Sequence, residues 1–139
     1  MKKAIMICLF ATVVGLVSIS AETWQATLRR AERMVINVNI GINTGNHNTW
    51  SIDKWGALLA THQWLEATFE QTYRQLPYLT NEERQKYGRL YRQRVEATRI
   101  LVRLRNDTFR GNSNAINRIN ERADFWWRHL VNGGIINFN

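Results

Sequence analysis

Three polar side chains interrupt faces that are otherwise apolar: His62, Glu66 and Arg94. His62 and Glu66 stand four residues apart, which on a helix places imidazole and carboxylate on one side, one turn from each other. That spacing is what two metal ligands, or a paired acid and base, would require. Arg94 adds a guanidinium able to hold a carboxylate or phosphate in a two-point grip. A charged group in a core is costly without a partner. The plainest reading is therefore a buried polar network in which Arg94 meets Glu66 across a helix hairpin. The alternative is a small pocket for an anionic ligand.

Catalysis needs more than these three residues. The chain has neither HExxH nor the ExxH pairs of di-metal bundles, and only three histidines in all. Nucleophile elbows and glycine-rich phosphate loops are missing as well. Glu82 and Glu83 read as charges favouring a helix start. Covalent haem attachment would need CxxCH, which leaves only Met34, His62 and His129 for axial ligation. The sequence thus points away from an enzyme, and no catalytic residue, metal or cofactor is assigned.

A second constellation is electrostatic. At about 100° per residue, Arg89, Arg92, Arg99, Arg103 and Arg110 fall in one stripe together with Glu96, opposite the apolar face of their helix. Guanidinium forks in a row suit a carboxylate-rich surface. Trp64 and Phe125 each fall opposite the apolar side of their own helices, as exposed interface anchors would. Together these residues predict a partner-binding surface for an acidic protein, with self-association as a further use. Nucleic acid is disfavoured because no aromatic and basic platform for stacking bases can be recognised and because the chain carries an export signal. Stable insertion in a membrane is disfavoured too, since the apolar faces are needed for a core.

That export signal is Met1-Lys2-Lys3, an apolar run from Ala4 to Val17, and small residues at Ser18, Ser20 and Ala21. The order is that of a secretory leader cleaved at or just before Ala21, and the run is too short to span a bilayer. Cys8, in the middle of the run, is not placed for lipidation. Residues 22–139 then form one cysteine-free domain, held by packing and not by disulfides. The whole chain carries +8 and the part after the leader +6, with 15 arginines among its 19 basic residues.

Four segments must position these side chains. Trp24, Leu28, Ala31 and Val35 have helical spacing, whereas residues 36–42 alternate as a strand would. Residues 135–139 are also rich in strand formers, so a small two-stranded patch competes with a helix that runs to about Asn39 and frays. The second helix runs from Ser51 to Leu76, ahead of Pro77, with Trp55, Leu58, Leu59, His62, Leu65, Phe69 and Tyr73 inward. The third opens on the capping box Thr80-Asn81-Glu82-Glu83 and stops at Gly111. The fourth covers about Ser113 to Val131, with Ile116, Ile119, Ala123, Trp126, Trp127 and Leu130 on one side. Asn106-Asp107-Thr108 is a glycosylation tripeptide whose meaning depends on the source.

The expected architecture is all-α, a four-helix up-down-up-down bundle or near relative. The expected role is that of an exported, secreted or periplasmic, non-enzymatic protein that binds another macromolecule as accessory subunit, inhibitor or chaperone. The competing expectation is a carrier of a small anionic or amphipathic ligand held between the helices.

Overall fold

A computed structural model of the protein describes residues 21–43 and 46–138, so all but the last residue of the expected leader lies outside the described residues. Four helices follow in order: α1 (Ala21–Asn43), α2 (Ile52–Gln75), α3 (Asn81–Thr108) and α4 (Ser113–Val131), with a short 3-10 turn at His47–Thr49. Two compact units divide the chain, residues 1–30 and 31–139, and the boundary falls inside α1. In the first unit the described part is the helical stretch 21–30, on which Trp24 and Leu28 share one stripe. The second unit holds everything else.

Within it, α3 and α4 both pack against α2. The central position of α2 is written in its burial. All eight residues from Trp55 to His62 are buried, followed by Trp64, Leu65, Thr68, Phe69 and Thr72. Eight consecutive buried positions cover the whole circumference of a helix, the mark of one enclosed by others. The residue types allow this, because small Gly56, Ala57, Ala60 and Thr61 alternate with large Trp55, Leu58 and Leu59. Buried hydroxyls on α2 are satisfied locally: Thr61 donates to the Ala57 carbonyl and Thr72 to the Thr68 carbonyl, each at 2.7 Å.

The closest approach is at Gly56. A β-carbon there would lie 2.5 Å from Arg122 Cβ and 2.9 Å from the Ala123 amide nitrogen. The backbones of α2 and α4 therefore touch where only a hydrogen fits.

The helix ends follow their sequence signals. Ser51 Oγ accepts from the Lys54 amide at 3.1 Å. At Thr80 both halves of the capping box form: its amide donates to Glu83 Oε1 at 2.9 Å, and its hydroxyl accepts from the Glu83 amide at 3.1 Å. Arg84 closes the α2–α3 turn by donating to the carbonyls of Tyr73 and Leu76, occupying acceptors that the end of α2 leaves open. Gly111 takes φ +80°, the left-handed residue that ends α3. Contact of Trp55 with Phe109 at one end, and of Phe69 with Tyr87 at the other, shows that α2 and α3 run antiparallel.

The two-stranded patch is not adopted. Residues 36–42 are helical, α1 runs on to Asn43, and there is no strand among the described residues. Ala31, Met34 and Val38 are each fully buried at helical spacing, while Ile36 is 63% exposed. Burying one side of a helix thus outweighs the local alternation, and Met34, not Val35, supplies the fully buried position after Ala31. Glu32 on the same helix pairs with Lys86 at the start of α3, at 2.7 Å.

Two glycine substitutions should move stability in opposite directions. Gly56→Ala forces α2 from α4 and should lower unfolding free energy by about 1–3 kcal/mol. Gly88→Ala meets only ordinary contacts, 3.4 Å to the flexible end of Arg92 and 3.6 Å to Tyr73. It should gain up to ~1 kcal/mol of helix propensity. Urea denaturation of both variants beside the parent measures the pair.

Candidate functional site

The buried polar group lies in the α2–α3 interface. His62 is fully enclosed, and neither ring nitrogen has a hydrogen-bond partner. Burial, and next the positive charge of Arg94, lower its pKa to about 4. The imidazole is therefore neutral at ordinary pH. Arg94, on the face of α3 turned to the core, is itself buried, and desolvation lowers its pKa too.

Glu66 behaves differently. It is half-buried, and burial raises its carboxyl above the ordinary range; Thr98 and Arg99 oppose that shift and Glu70 adds to it. Burial, Thr98, Glu70 and Arg99 set the ionisation of Glu66. The structure links Arg94 electrostatically to His62, one turn along α2 from Glu66. An imidazole closed off from solvent cannot meet a substrate without the helices parting, so this arrangement offers no open acid–base pair. Among the described residues, no three His, Cys, Asp or Glu side chains gather as metal ligands.

The second constellation is on the surface. Arg89, Arg92, Arg99, Arg103 and Arg110 are all exposed, as is Glu96. Arg99 pairs with Glu96, and Arg110 Nη2 lies 3.0 Å from Asp107 Oδ1. Among the described residues Arg89, Arg92 and Arg103 take part in no ion pair. Exposed pairs of this kind contribute little stability. The face is free to change its partners.

Of the two aromatic anchors, one is corrected and one stands exposed. Trp64 is only 5% exposed and belongs to the core. Its place opposite the main apolar face would leave it outside a helix covered on one side, but α2 is covered all round. Phe125 is 43% exposed. The Arg122 guanidinium lies 4.2 Å over its ring and also contacts Asp53 through Nη2 at 2.6 Å and Nε at 2.7 Å. The Trp126 indole donates to the same Asp53 oxygen at 3.0 Å. Phe125 therefore borders a clamp tying the start of α2 to the second half of α4.

Two features escaped the sequence reading. Ile100 is 42% exposed, between Arg99 and Arg103 on the arginine-bearing side. The wheel that revealed the arginines also puts Ile100 at the edge of their stripe, a signal that attention to charge alone overlooks. The other is an aromatic cluster at the start of α2: Trp50 and Trp55 have ring centres 4.9 Å apart, with His47 edge-on to both. Phe109, just past the end of α3, adds an edge-on ring contact to Trp55.

No described helix is long and apolar enough to cross a membrane. Comparison of the chain with protein-family models, curated protein sequences and solved structures finds no match in any of the three.

The His62 environment makes a signed pH prediction. Unfolded, the imidazole takes a proton near 6.5, whereas in the fold it resists protonation down to about 4. Its contribution to stability is complete above the higher value and is lost as pH falls from 6.5 towards 4, by roughly 3 kcal/mol in total. Glu66, with a raised carboxyl, works in the opposite sense. His62→Leu should therefore flatten the acid side of the stability profile selectively. Denaturation at pH 7, 6, 5 and 4 checks it, and a parallel profile for the two proteins contradicts it.

Proposed function

We propose that the protein is exported, to the periplasm or outside the cell, and binds an acidic protein partner through the outer face of α3 without catalysing a reaction. The observation that supports this most is that all five arginines of the stripe are exposed, three of them outside any ion pair among the described residues. Charge spread evenly would keep a protein soluble equally well. Concentrating it on one helix face sets up a directed field, which steers an acidic partner and holds it in register. A second copy meeting the same face would set arginine against arginine, so self-association does not compete for the stripe.

Carriage of a small anionic or amphipathic ligand is the second reading, and the unpartnered ring nitrogens of His62 are what favour it. A ligand held there would occupy the space between α2 and α3 beside Arg94. Mass spectrometry of protein taken from its native compartment decides the matter: a stoichiometric bound molecule supports carriage, and a ligand-free protein rejects it.

For the leading reading, the variant Arg92→Glu/Arg99→Glu/Arg103→Glu should keep its helical circular dichroism and thermal transition, since all three side chains are exposed. Affinity capture from the exported fraction should recover an acidic protein with the parent. The triple variant should lose at least about tenfold in affinity for it, with a shallower salt dependence. Unchanged binding rejects the arginine face.

A further inference from the structure

The outer face of α3 has an internal order that narrows the partner further. Exposed residues recur along it at 89, 92, 93, 96, 99, 100, 103, 106 and 107, steps of three and one that repeat every seven residues. Arg89, Glu96 and Arg103 form one column at seven-residue spacing, Arg92 and Arg99 form a second beside it, and Arg110 follows in the turn just past the end of α3. Ile100 stands next to the first column. At 1.5 Å per residue, members of a column are about 10.5 Å apart and the helical face from 89 to 107 is about 27 Å long.

Building on the reading of this face as a site for an acidic protein, we infer that its occupant is an α-helix whose acidic residues also recur every seven residues. It lies along α3 with an apolar side chain on Ile100. A helix laid beside α3 repeats its charges at the same interval, the relation that charged flanking positions use to select partners in paired helices. An extended strand matches less well: side chains on one of its faces recur at about 6.8 Å, which misses the 10.5 Å position of Glu96 and comes back into step only near 21 Å, at Arg103. A uniform polyanion fits poorly as well. Glu96 and Asp107 stand inside the face, and each would repel a continuous row of phosphates or sulfates.

In the unbound protein Glu96 and Asp107 hold Arg99 and Arg110. That leaves Arg89, Arg92 and Arg103 as the cations outside ion pairs among the described residues, two near one end and one about 21 Å from Arg89. A complementary column on the partner therefore reads acidic, basic, acidic. Its basic member faces Glu96.

The test uses the full chain without its expected leader and four probes. The first is a synthetic helical peptide carrying Glu, Lys and Glu at successive seven-residue positions, with one leucine set to reach Ile100. The second has the same composition with its charges at five-residue spacing; the third is heparin, and the fourth is vesicles of anionic phospholipid. Fluorescence anisotropy or surface binding at two salt concentrations should show the first peptide bound about tenfold more tightly than the second. Ile100→Asp, an exposed substitution, should reduce binding of the first peptide and leave the second unchanged.

If both peptides bind equally and the triple Arg→Glu variant loses both, the helical register is overturned while the arginine face stands. If the triple variant binds both as the parent does, the face itself is rejected. Binding to heparin or vesicles in preference to the first peptide overturns the helical partner in favour of a polyanion or a lipid surface.

Discussion

The second unit depends on the contact of α2 and α4 backbones at Gly56. With no β-carbon between them, α2 settles deep enough to be covered on its remaining sides by large residues packed as tightly as the rest of a protein interior. A wider helix separation would open gaps around Trp55, Leu58 and Leu59 that no side chain is placed to fill. The Asp53, Arg122 and Trp126 clamp sits beside that contact and ties the start of α2 to α4 by charge-assisted hydrogen bonds. Residues 22–139 contain no cysteine, so tight packing of one central helix, and no disulfide, holds this unit together.

The same enclosure governs the polar residues. His62 lies on the buried run of α2, so its environment turns from that of a prospective ligand into that of a neutral space-filling ring beside a buried guanidinium. An unbonded polar atom in such a place costs about 1–3 kcal/mol, and its persistence is what lends weight to the ligand-carrier reading. Glu66 lies just outside the enclosure and answers to a different set of neighbours, Thr98, Arg99 and Glu70. One helical turn separates a group that must stay neutral from one that can ionise.

Where the core claims most of α2, it leaves α3 largely outside. Only Tyr87, Gly88, Arg94 and Leu101 of its 28 residues are buried. A long, well-capped helix packed mainly against α2 has an outer face that the fold itself does not need. On that face the charges are ordered in columns, and the arginines outside ion pairs have no structural duty to offset binding. Division of labour between an enclosed helix and an exposed one is the physical basis of the proposed binding role.

Much of this was legible locally. The ends of α2, α3 and α4 follow from Ser51, Pro77, the Thr80 to Glu83 box, Gly111 and Asn112, because capping satisfies amides and carbonyls within a few residues. Exposure of the arginine stripe was legible too, since charge and apolar periodicity on one helix leave it no other side. The fate of residues 36–42, of Trp64 and of Glu66 was not. Each depended on what lay across from it: a stripe through Ala31, Met34 and Val38 that kept α1 helical, neighbours on the far side of α2, and the register of α3. Periodicity specifies which side of a helix is apolar, but how many sides are covered, and by which residues, is decided only when helices distant in sequence close on one another.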